Sequence, residues 1–315
     1  MCSVVSAVLE HPPGFTHSIE CVSIPMICKL ELGPSWSCYI GAMLSFGSAT
    51  ASPEFVPGDD ARNWIATGIV DLAARLGPPA QQPQLLSDPA DLGFGTARTP
   101  SDLDSLFDMI CAVQEVVGQS EVELTLLELD ERAKAPSLPE QYTSLGDANG
   151  KLLHTLRGPG EYLVLFTPAV FKVRELLLAG IARELGRMAL DRAGIEPDPE
   201  DAQAALEWDA DAELAGVLLG MGIWVANGAY LFENACCGGG CGVDLRSVRA
   251  GLSMPEACYA LALDSQRKGI RRRHVLRHLA PTQKAATKKC WSHLGSSLPP
   301  ALAAAEPEVR GRLGA

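Results

Sequence analysis

Arg183-Glu184-Leu185-Gly186-Arg187 sets two guanidinium groups four residues apart, one helical turn, with a carboxylate next to the first. Imidazoles at those two positions would chelate a zinc ion from one helix face, and the glutamate between them would act as general base. Guanidinium groups stay protonated and repel cations, so the same spacing offers ion pairing instead. Asp209 and Glu213 repeat the one-turn spacing further along the chain. Two acids on one helix opposite two arginines on another would make a cross-helix ion-pair cluster. The competing reading is a solvated rim of charges whose local pairs contribute little.

The elements that must position these residues follow from the periodicity. Over 169–194 the apolar residues recur at helical spacing, with Val173, Leu177, Ile181 and Met188 on one face and Glu184 in its middle. A carboxylate there is costly unless paired, and Arg183 and Arg187 at the edge of that face are the nearest cations. A second helix is predicted over 201–232, carrying Asp209 and Glu213. Ahead of the pair, Val122, Leu124 and Leu126 alternate as a strand does. Segments 151–156 and 161–166 flank Arg157-Gly158-Pro159-Gly160 as a hairpin. Further helices are predicted from Asp59, with Ile65, Ile69 and Leu72 on one stripe and a stop at Gly77-Pro78-Pro79, and across 253–294. Another follows a capping box of Ser101 with Asp104, its apolar face formed by Leu103, Leu106, Phe107 and Ile110. The expected fold class is α+β, a small antiparallel sheet packed with several helices. Residues 1–56 read as an N-terminal extension, 57–296 as the folded domain, and 297–315 as a flexible tail.

The order of these pieces over 100–295 resembles a family of bacterial proteins of zincin type, metallopeptidase-like in outline. There, a short sheet leads into a helix bearing H-E-L-G-H, and an acidic residue about twenty positions on opens an apolar, glycine-bearing helix. This chain has Arg183-Glu184-Leu185-Gly186-Arg187, then Asp209, then Leu218-Leu219-Gly220-Met221-Gly222-Ile223-Trp224-Val225-Ala226-Asn227. Gly251-Leu252-Ser253-Met254-Pro255-Glu256 and Tyr259-Ala260-Leu261-Ala262-Leu263 match the start of the family's next helix. The resemblance implies that Arg183 and Arg187 stand at the two zinc-ligand positions, Glu184 at the general-base position and Asp209 at the third-ligand position. It therefore implies a degenerate site, with no catalytic residues and no cofactor, and a pseudopeptidase with a binding or regulatory role. The strand over 161–166 would then hold an extended peptide or a protein partner by strand addition.

Composition narrows the alternatives. The formal charge of -12 disfavours wholesale binding to nucleic acid, although residues 265–305 contain no acid and hold Arg271, Arg272, Arg273, Arg277, Lys284, Lys288 and Lys289. That stretch reads as a cationic face docking on the protein's own acidic helices or an acidic partner, with phosphate contact by its arginines as the other option. His274 and His278 have chelate spacing, so a hydrolase with a relocated zinc site is an alternative; no acidic base lies between them. Cys236, Cys237 and Cys241 surround three glycines, as a soft-metal loop or a plain loop with free thiols. The ten cysteines lack a disulfide framework, and no basic, apolar leader opens the chain, so a cytoplasmic setting is expected. The uncharged run 214–232 is long enough to be weighed as a membrane span, but its glycines, Asn227 and acidic entry favour a buried core helix. No phosphate-cradling loop and no G-x-S-x-G elbow occurs.

Overall fold

In chain order the helices are α1 (Asp59–Leu76), α2 (Pro78–Gln81), α3 (Leu103–Val116), α4 (Arg174–Arg192), α5 (Ala202–Gly216), α6 (Gly222–Glu233), α7 (Met254–Arg267), α8 (Arg272–Arg277), α9 (Pro281–Ser296) and α10 (Pro300–Ala304). Between α3 and α4 run the strands β1 (Leu124–Glu128), β2 (Thr143–Ser144), β3 (Leu153–Arg157) and β4 (Tyr162–Phe166). The computed structural model describes residues 55–92, 100–129, 141–146, 152–197, 202–233, 250–296 and 299–304. Almost all of the expected N-terminal extension, the Cys236, Cys237 and Cys241 loop and residues 305–315 lie outside the described residues.

The architecture is α+β, mostly helical. Its sheet is mixed, where alternation alone pointed to an antiparallel one: the strand order is β1-β4-β3-β2, with β4 antiparallel to β3 but parallel to β1. All five residues of β4 are buried, so both its edges need partners in a place water cannot reach. The hairpin turn supplies β3 on one side. The chain between β1 and β3 is long enough to return to the same end, which leaves β1 parallel on the other side.

Helix α1 begins and stops where the sequence implies, with Ile65, Ile69 and Leu72 buried and Gly77 closing it. The cap of α3 sits one residue later than expected. Asp102 accepts from the Ser105 amide, and the Ser105 hydroxyl takes the Asp102 amide in return. Ser253 and Glu256 form the same reciprocal box at the start of α7. Pro300–Ala304 forms a short helix inside the expected tail, with Leu302 fully buried.

The predicted 201–232 helix is broken. A π-helical turn over Val217–Met221, with Gly220 at φ 93°, separates α5 from α6. That φ suits glycine, and the break frees carbonyls that distant groups then satisfy. Lys268 Nζ donates to Leu218 O at 2.5 Å, Gln84 Nε2 to Leu219 O at 2.7 Å, and the Leu86 amide to Gly220 O at 2.8 Å. Among the described residues the stretch Glu207–Ala229 is the one helical segment long and apolar enough to cross a membrane, and 94% of its apolar window is buried inside the protein.

Candidate functional site

Helix α4 is covered on nearly every side, by β3 on one flank and by α5 and α6 on others. Small residues make this possible. A Cβ on Gly186 would lie 2.0 Å from Ala212 O, and one on Gly216 would lie 2.7 Å from Ala182 O, so α4 and α5 touch backbone to backbone. The single apolar face expected for α4 is thus replaced by burial all round. Arg183, Glu184 and Arg187 are each at most 3% exposed, and the solvated-rim reading fails.

The close approach brings both cross-helix pairs together. Arg187 Nη2 lies 2.5 Å from Asp209 Oδ1, and Arg183 Nη1 lies 3.6 Å from Glu213 Oε1. Within α4, Arg183 Nε reaches Glu184 Oε1 at 3.2 Å, and Arg187 Nη1 reaches Glu184 Oε2 at 3.5 Å. Backbone groups complete the set. The Thr155 amide donates to Glu184 Oε2 at 3.0 Å, the Gly251 and Leu252 amides donate to the two oxygens of Glu213, and Arg187 Nη1 donates to Leu145 O at 2.6 Å. Buried charges persist only when paired and hydrogen-bonded, and four separate segments supply the partners here.

Electrostatics follow the geometry. Burial opposes the charge on Arg183, but the fields of Glu184, Glu213 and Asp209 outweigh it and hold the guanidinium proton more tightly than usual. Burial raises the Glu213 carboxyl above its ordinary range, and Arg183 with the Leu252 and Gly251 amides pulls it back only in part. These two tendencies point opposite ways for one pair. The contacts favour the ionised form, because each Glu213 oxygen accepts a backbone N–H. On the same helix, burial and then Glu207 push Asp211 up to about 6.

One member of the site was not legible in the sequence. His154, on β3 and 4% exposed, lies with Nδ1 3.4 Å from Arg187 Nη1 and Nε2 2.7 Å from Ser144 Oγ. Arginine only donates, so these partners assign Nδ1 as acceptor and Nε2 as the protonated nitrogen, in a neutral ring. Ser144 passes its own hydrogen to Gly146 O at 2.7 Å. His154 lies outside both helices in sequence and reaches the cluster from β3. Only the sheet register, which sets β3 beside α4, carries that information.

These residues do not fit a zinc ion. The two positions one turn apart present cations, and the guanidinium of Arg187 stands between Glu184 and Asp209 where an ion would need open space. The site is also closed. A cleft of about 640 Å³ opens between Asp88, Arg174, Trp224 and His278, and none of the five cluster residues lines it.

The remaining candidates separate. Helix α8 ends at Arg277, so His274 and His278 do not share one continuous helix; His274 is exposed, and His278 Nε2 accepts from Arg277 Nε at 3.2 Å. Among the described residues no three His, Cys, Asp or Glu side chains gather as a cation site. Strand β4 lies between β1 and β3, so it has no free edge with which to receive a peptide, and strand addition at 161–166 is excluded by the topology. No protein-family model, curated protein or solved structure matches the chain.

Proposed function

We propose that this chain is a catalytically inactive, metallopeptidase-like protein of zincin type, with a binding or regulatory role toward a peptide or protein. The observation that carries this reading is the position of Arg187, fully buried, 2.5 Å from Asp209 and 3.5 Å from Glu184. A permanent cation there neutralises the acids that would otherwise assist a metal, and it leaves no space for an ionisable water. A site turned into an ion-pair lock preserves the helix pair without its chemistry. Since β4 is enclosed, an extended partner would meet the sheet at its outer strands.

The test is metal analysis with peptidase assay on the purified full chain, after incubation with zinc and dialysis. The reading predicts zinc well below one per chain and no cleavage of unfolded protein substrates. One zinc per chain, lost in Asp209→Ala, would overturn it; zinc lost instead in His274→Ala would restore the relocated-site hydrolase.

A further inference from the structure

The cations of 265–305 divide into two groups by their surroundings. Arg267 and Lys268 are buried and paired with Asp264. Arg271, Arg272, Arg273, Arg277, Lys288 and Lys289 are exposed on α8 and α9, and among the described residues none of them forms an ion pair with a carboxylate. Docking on the protein's own acidic helices, the simplest use for this stretch, is not what the described residues do. Arg272 and the Lys288 backbone meet across the two helices. Arg272 Nη2 reaches the Lys288 carbonyl at 3.4 Å, which joins the start of α8 to the middle of α9.

The neighbourhood of these cations restricts the partner. Protein interfaces centre on buried aromatic and aliphatic anchors, and membrane-surface helices insert apolar side chains. Among the described residues the one exposed large apolar side chain is Val116, on α3. A surface whose cations are exposed while its large apolar side chains, Ile270 and Trp291, are only partly so suits a polyanion gripped mainly by charge. Four of its six cations are arginine, whose planar fork pairs with phosphate oxygens in two-point fashion.

From this we infer that the α8–α9 surface binds the phosphodiester backbone of a nucleic acid, without reading its sequence. The rest of the chain, more acidic than the whole-chain formal charge of -12 because 265–305 holds cations and no acids, repels the polymer and confines it to this face. This inference is independent of the α4 cluster.

The experiment is fluorescence anisotropy of the full chain with labelled duplex DNA, single-stranded DNA and single-stranded RNA of equal length, at several salt concentrations. Affinity should fall linearly on a log–log plot against salt. The triple variant Arg271→Ala, Arg272→Ala, Arg273→Ala should flatten that slope by about 2.7, at about 0.9 per lost phosphate contact. The triple Lys variant should keep the slope. Because the three side chains are exposed, circular dichroism should stay unchanged in both variants, and the thermal midpoint should fall only slightly with loss of the exposed Arg272 contact to Lys288 O. The relative affinities of the three polymers identify which backbone is preferred. Absence of binding to all three at low salt would overturn the inference, as would a slope unchanged by the triple Ala variant. Equal or tighter binding to polyglutamate or to phosphatidylserine vesicles would also overturn it, and would assign the face to an acidic protein or a membrane.

Discussion

Among the described residues, the buried ionic clusters on α7 and on α4–α5 are built on opposite balances. On α7, one acid, Asp264, holds two cations, with Arg267 Nη2 at 2.7 Å and Lys268 Nζ at 2.9 Å. Each cation spends a further donor on a carbonyl: Arg267 on Ala80 O and Lys268 on Leu218 O, which the π-helical turn has freed. That cluster is a repair for a break in the backbone. On α4 and α5, three acids surround two cations, and backbone amides from β3 and from the segment before α7 flow toward the acids. The excess of acid remains as an acid-rich seam that requires cations to stay folded. Buried charge alone thus says little about function; what decides is whether the backbone accounts for it.

Arg187→Ala gives the largest expected effect, since it removes the cation beside Asp209 and leaves Glu184 with Arg183 alone in a largely buried seam. Removing one partner of a buried pair costs about 3–5 kcal/mol. Lys268→Ala leaves Asp264 still paired with Arg267 and uncaps one carbonyl, so about 1–3 kcal/mol is expected. Chemical denaturation of both variants measures the difference. Equal losses would mean that the two clusters play the same structural part.

A smaller effect sharpens the comparison through pH. Asp211 titrates near 6 in the folded chain against an ordinary 3.8, so the folded state binds its proton more tightly than the unfolded one. Its contribution is therefore greatest at low pH and is lost as pH rises from about 4 through 6. In Asp211→Asn that part of the pH dependence should flatten, and the variant should be more stable than the parent at pH 7. Unfolding midpoints at pH 4.5 and 7 report it. An unaltered pH profile would remove Asp211 from the acidic excess of α5.

Much of the α4 site was legible because one-turn spacing on two helices matches acids to arginines once the helices are antiparallel neighbours. The contact that seals them in, at Gly186 and Gly216, came only with the structure. What was hidden depends on pairing across long sequence separations. His154 and the Thr155 amide enter only through the register of β3 against α4, and strand alternation does not tell which strand lies beside which. The parallel β1–β4 pair was missed for the same reason. The break at Gly220 was also missed, because a lone glycine is tolerated within a helix. The groups that stabilise it, Gln84, Leu86 and Lys268, are remote in sequence.

The proposed reading puts two guanidiniums where a metal ion would otherwise balance the acids of the α4–α5 seam. Arg183→His combined with Arg187→His sets imidazoles one turn apart beside Glu184 and Asp209, and thermal unfolding with and without zinc, alongside metal analysis, tests that reading. The account predicts a double variant that is destabilised without metal, binds one zinc per chain, and regains stability with zinc unless Asp209 is also replaced by Ala. A folded double variant that takes up no zinc, with an unfolding midpoint indifferent to the metal, would contradict it.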